Sequence, residues 1–194
     1  MSMREKIAID VVLLLPEEIN NICKELNKTS NKRDYISFED GYNPHITLGM
    51  GSLFVSNISA FKQDLLSTLS DFKMPEVVLT SLASGKYDHF TVGASENLQS
   101  LHNIIFDVIT KHGAGPVTTE NFFELSEPSS IIDWVNNFKE NSAYSNYHSH
   151  ITLGVGIKEI PLKFPITFKP KSIGFFHLGK HGTCKKMLAD FKLE

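Results

Sequence analysis

The stretch His45-Ile46-Thr47-Leu48-Gly49-Met50-Gly51 returns 105 residues later as His150-Ile151-Thr152-Leu153-Gly154-Val155-Gly156, with six of seven positions identical. A repeat this short and well matched, with no obvious duplication of its flanks, points to two similar lobes that each supply the same side chains to one shared site. Read as strands, both copies place histidine and threonine on one face and their aliphatic residues on the other. Each copy therefore offers an imidazole and a hydroxyl to one side and two apolar side chains to a core. The glycines that follow allow a strand to end, to bend or to approach a ligand closely.

Those groups suit a displacement at phosphorus, which needs a proton acceptor beside the attacking oxygen and a proton donor beside the leaving one. Two imidazoles fill both roles, because an unperturbed pKa of roughly 6.5 lets one ring be neutral and the other protonated near physiological pH. The threonine hydroxyls can donate hydrogen bonds to the non-bridging phosphate oxygens, where charge is held throughout the reaction. The scheme requires no metal and no other cofactor.

Written with their neighbours, Pro44-His45-Ile46-Thr47-Leu48 and Ser149-His150-Ile151-Thr152-Leu153, the paired motifs resemble those of the 2H phosphoesterase superfamily. That group includes the bacterial RNA 2',5'-ligase-like proteins and the 2',3'-cyclic phosphodiesterases. The resemblance implies one bilobal α+β domain over residues 1–194, with two mostly antiparallel sheets related by a pseudo-twofold around a central cleft and helices on the outside. It further implies metal-independent cleavage of 2',5'-linked or 2',3'-cyclic phosphodiesters in small nucleotides or short RNA. His45 and His150 would be general acid and base, in either order, and Thr47 and Thr152 would bind phosphate. RNA 2',5'-ligation by reversal of that chemistry is one alternative. A cleft that binds nucleotides or RNA ends without turning them over is another.

The rest of the chain fits an α+β reading. An apolar run over residues 7–15, interrupted by Asp10, predicts a buried first strand, too short at nine residues to span a bilayer. Pro16-Glu17-Glu18 opens a helix with Ile19, Ile22, Cys23 and Leu26 on one face, and a polar stretch over 28–40 leads to the first motif. A second helix carries Ile58, Phe61, Leu65, Leu69 and Phe72, and runs over 76–84 and 87–93 form a hairpin through Gly85-Lys86. Ser95 caps a third helix that ends at Lys111-His112-Gly113. A fourth, shorter helix carries Ile131, Trp134, Val135 and Phe138, and residues 165–193 read as strands with a turn at Lys180-His181-Gly182. The segment 112–141 is longer than a minimal member of the superfamily needs and is expected to shape the entrance to the site.

Strand parity adds His148 to the face of His150 and Thr152, and Tyr42, in the turn before the first motif, can reach a base by stacking. Phe176, in a late aromatic strand, and Lys180 are further candidates for the cleft wall, with Lys180 or Lys185 available for a second phosphate. A zinc site built from His148 and His150 with His177 or His181 is the competing use of these histidines. It leaves His45 and both threonines without a role. His89, His102 and His112 have ordinary structural explanations.

The 194 residues carry 19 basic and 22 acidic side chains, a net charge of -3 that suits a small anionic substrate and not the grip of long duplex nucleic acid. Two cysteines, Cys23 and Cys184, have no partner at metal-ligand spacing and imply no disulfide framework. With Asp10 breaking the apolar run and no small-residue cleavage site after it, no secretory signal is read, so the expected setting is a cytoplasmic monomer off the membrane.

Overall fold

The computed structural model of the protein describes residues 5–31, 36–127, 129–158 and 161–192. Arg4, residues 32–35 of the polar stretch and the terminal Leu193-Glu194 lie outside them. The apolar run broken by Asp10 forms β1 (Lys6–Leu14), buried on both faces. It pairs antiparallel with β2 (His45–Phe54) on one side and with β7 (Ser172–Leu178) on the other. With β8 (Cys184–Phe191) the order of this first sheet is β2-β1-β7-β8.

The second sheet is built from the middle of the chain in the order β5-β4-β3-β6, from β3 (Val77–Ala83), β4 (Asp88–Val92), β5 (His150–Gly154) and β6 (Ile166–Phe168). All its pairs are antiparallel. The fold is thus α+β with two four-stranded antiparallel sheets. The chain starts in the first sheet, makes the whole of the second, and returns to finish the first. β2 and β5 occupy the same place in their sheets, each an edge strand that begins with its motif histidine, and the two strands lie against one another.

The helices tie the sheets together crosswise. α1 (Glu17–Lys28) precedes β2 yet reaches β5: Asn27, buried near its end, donates to the Leu153 and Ile36 carbonyls and accepts from the Phe38 amide. α3 (Glu96–His112) precedes β5 yet packs on β2. Ser95 caps it by accepting from the Leu98 amide, as the sequence predicts. A Cβ added at Gly49 would lie 2.8 Å from Ile109, and one at Gly51 would lie 2.6 Å from it. These motif glycines therefore admit a helix, not a ligand. α2 (Ile58–Leu69) packs beside α3, with Phe61 against Phe175 of β7.

The predicted fourth helix is two pieces, α4 (Ser130–Asn136) and α5 (Phe138–Ser142), broken at Asn137. Ile131, Val135 and Phe138 face the core, whereas Trp134 is 45% exposed. Among the described residues, no helix is long and apolar enough to cross a membrane.

Candidate active site

Because β2 and β5 run edge to edge, the faces bearing His45 with Thr47 and His150 with Thr152 open onto one cleft of about 430 Å³. Tyr42 and His148 line it as well. The two motif rings are held alike. His45 Nδ1 lies 2.7 Å from the Asn43 carbonyl oxygen, and His150 Nδ1 lies 3.0 Å from that of His148. A carbonyl can only accept, so Nδ1 carries the proton in both rings and Nε2 is left to exchange one.

The surroundings of the two rings differ. Behind His45 the strands β1 and β8 bring Asp10 and Cys184, both fully buried. Asp10 Oδ2 accepts from the Thr47 hydroxyl at 3.1 Å and from the Cys184 thiol at 3.7 Å, and it lies 3.7 Å from His45 Nε2. His150 stands at the exposed rim, opposite Thr91 of β4, with Thr152 opposite His89. The His89 and His150 rings meet edge to face with centroids 5.5 Å apart.

Burial pushes His45 down to about 4, against the pull of the Asn43 carbonyl and with the His150 ring across the cleft adding to the lowering. Desolvation also lowers His150, helped by His89 and His148. Burial raises the Asp10 carboxyl well above the usual carboxylate range, with the bonds from Thr47 and Cys184 opposing it. Burial therefore opposes an ion pair between Asp10 and His45.

The far wall comes from the long segment between the third helix and the second motif. Ser130, Ile131, Trp134, Phe138 and Asn141 line the cleft there, as an entrance-shaping role for 112–141 requires. Lys86 and Tyr87, from the β3–β4 turn, complete it opposite. Two expected wall residues are placed elsewhere. Phe176 lies on the cleft-side face of its sheet, paired with Asp10, but is fully covered in a small cluster with Val12, Leu14 and Cys184. Lys180 sits in the predicted turn, and its neighbours His181, Gly182 and Thr183 line the cleft in its place. Lys185 lies over the Tyr42 ring and reaches Glu124.

Asp10, Cys184, His89 and Trp134 are the neighbours of the site that the sequence reading missed. Asp10 had a signal, as the one charge in the apolar run over residues 7–15. Among the described residues, the only group of three potential metal ligands is Asp10, His45 and Cys184, which does not include His148, His150, His177 or His181.

No protein-family model matches the sequence, and no curated protein matches it. Solved structures do match its fold over nearly the whole chain. LigT of E. coli complexed with ATP aligns over 97% of this chain and 99% of its own at 14% identity and a TM-score of 0.54. The same protein with 3'-AMP aligns over the same shares at 16% identity and a TM-score of 0.52. TT0787 of Thermus thermophilus aligns over 96% of this chain and 98% of its own, at 13% identity and a TM-score of 0.57. A structure described as a phosphoesterase covers the same shares at 13% identity and a TM-score of 0.52.

Proposed function

We propose that this chain is a phosphodiesterase of the 2H type, acting on 2',3'-cyclic or 2',5'-linked phosphodiesters of small nucleotides or short RNA. The observation that carries the proposal is the matched setting of two imidazoles in one cleft, each with Nδ1 tied to the carbonyl two residues upstream and a threonine beside it. The complexes of LigT with ATP and 3'-AMP support a nucleotide-sized occupant.

The unequal burial of the rings supports a reading of their roles. His45, driven to about 4, is neutral and serves as the base. His150, at the rim, is the ring that can carry a proton and serves as the acid. For a cyclic phosphate, water attacks phosphorus as His45 Nε2 takes its proton. The bond from phosphorus to one ribose oxygen breaks, and His150 Nε2–H protonates that oxygen, leaving a phosphomonoester. Thr152 holds one non-bridging oxygen. Thr47 holds another once its hydroxyl turns from Asp10, whose own proton, retained by burial, can then bond back to Thr47 Oγ1. No step runs through a metal. Joining of RNA ends would use the same two rings with a 5'-hydroxyl in place of water. The hydroxyl attacks the cyclic phosphate, His45 takes its proton, the bond from phosphorus to O3' breaks and His150 protonates O3', leaving a 2',5' linkage.

The test is a panel of 2',3'-cyclic nucleotides, 2',5'-linked oligoadenylate and cyclic dinucleotides, incubated with and without a chelator. Replacing His45 or His150 by alanine should lower turnover about 10³-fold with the fold intact. Activity that survives either change or disappears with the chelator overturns the mechanism. Binding without product would make the cleft a recognition site only.

A further inference from the structure

We infer that Asp10, His45 and Cys184 form a zinc site whose occupation switches the cleft off. The three ligand atoms make a nearly equilateral triangle. Cys184 Sγ is 3.7 Å from Asp10 Oδ2, Asp10 Oδ2 is 3.7 Å from His45 Nε2, and His45 Nε2 is 3.8 Å from Cys184 Sγ. A point equidistant from all three lies about 2.2 Å from each, within about 0.2 Å of zinc's bonds to nitrogen, oxygen and sulfur. No side chain has to move by more than a few tenths of an ångström. The His45 tautomer is already correct, since the Asn43 carbonyl holds the proton on Nδ1 and leaves the Nε2 lone pair toward the triangle.

A second observation points the same way. Asp10 is fully buried and its Oδ1 has no hydrogen-bond partner, and among the described residues no lysine or arginine pairs with it. A cation in the triangle takes the place of the proton that burial favours on Asp10. With a thiolate, a carboxylate and a neutral imidazole as ligands, a divalent ion gives an uncharged complex, the form that a buried position tolerates best. The mixed sulfur, nitrogen and oxygen donors favour zinc over magnesium or calcium, which take oxygen ligands. Binding sends the Cys184 proton, and the proton that Asp10 retains, to solvent, so it tightens as pH rises.

Of the three side chains only His45 reaches the cleft, with 15% of its side chain exposed against none for Asp10. The ion therefore enters past His45, and its fourth position falls to water or to a phosphate oxygen. The inhibitory consequence rests on the reading of His45 as the base, because the nitrogen that would take the proton becomes the metal ligand. The site itself does not depend on that reading.

Two experiments separate them. Metal-free protein is titrated with cobalt(II) in the absence of substrate. One equivalent should give the thiolate-to-cobalt charge-transfer band and the intense visible bands of a four-coordinate ion, both removed by zinc. Absence of the thiolate band, or its survival in Cys184→Ala, overturns the site. The variant, its fold checked by circular dichroism, should bind zinc at least about a hundredfold more weakly. Zinc should then lower wild-type turnover by about tenfold or more, reversibly with a chelator, while Cys184→Ala, compared with its own zinc-free rate, resists. A cobalt site with turnover unmoved by zinc refutes the switch and the role of His45 together. A protein that turns over no phosphodiester refutes the proposed activity and the inhibition that depends on it, and leaves the spectrum to decide the site.

Discussion

The ring of Tyr147 lies flat against that of His102, with centroids 3.9 Å apart and planes 7° from parallel. From this stack the His102 Nδ1–H donates to the Leu48 carbonyl at 2.7 Å, and the Tyr147 hydroxyl donates to the Thr47 carbonyl at 2.9 Å. The segment leading into the second motif is thereby pinned to two consecutive peptide groups of the first. His102 uses its other nitrogen as well, accepting from the Tyr144 amide at 2.9 Å. The stack sets the position of one motif relative to the other.

A neutral His102 is required by those bonds, and burial lowers its pKa. His45, His150, His177 and His181 are lowered too, each chiefly by desolvation. A histidine whose folded pKa lies below its unfolded value contributes full stability above about 6.5 and loses it as pH falls toward the folded value. Urea unfolding at a series of pH values should show stability declining below about pH 6.5. His45 alone accounts for about 3 kcal/mol between there and about pH 4. Asp10, raised by burial, acts in the opposite direction. A flat profile from about pH 7 to about pH 4.5 in Asp10→Asn, which removes the opposing carboxyl, would contradict the neutral assignment of these rings.

The pH dependence of kcat/KM, measured on chelator-treated protein, should be a bell displaced to the acid side. Its acid limb reports His45, at about 4, beside Asp10, Cys184 and His150. Its alkaline limb reports His150, below the ordinary 6.5, beside His89 and His148. A bound phosphodiester anion favours the protonated rings, so the kcat profile should lie to higher pH than that of kcat/KM. Coincident profiles centred above about pH 7 would exclude these roles.

Asn27→Ala should cost about 2–4 kcal/mol, because it strands the Ile36 and Leu153 carbonyls and the Phe38 amide in a buried place. Denaturant midpoints check the magnitude. A loss below about 1 kcal/mol would mean that water takes over all three bonds.

Trp134→Ala should raise KM by about 10–100-fold with kcat nearly unchanged, since an exposed indole on the cleft wall is a platform for a base and lies outside the phosphate chemistry. A fall in kcat at constant KM would place the ring in the reaction and not in recognition.

The shared site was legible because two features survive without coordinates: the period of a strand, which puts His45 with Thr47 and His150 with Thr152, and the repetition of the pattern. The third helix and its Ser95 cap were legible for similar local reasons. Sheet membership was not. Nothing in residues 166–168 says that they join β3, across the molecule from the β7 that follows them. Phe176 shows a second limit. β7 is buried on both faces, with Phe175 toward Phe61 and Phe176 toward Val12, so an apolar run carries no alternation from which to choose a face. Trp134 fits the helical stripe with Ile131 and Val135, yet those two are buried while Trp134 stays 45% exposed on the cleft wall.

One imidazole hangs from the edge of each sheet, so the gap between them is not written in either motif. It belongs to the seams where Asn27 grips Leu153 and where Tyr147 leans on His102. Residues outside the two motifs thus govern how far apart the two rings stand. In the proposed reaction, drift along those seams would shift the preferred substrate from strained five-membered rings toward longer linear bridges while both motifs stay the same.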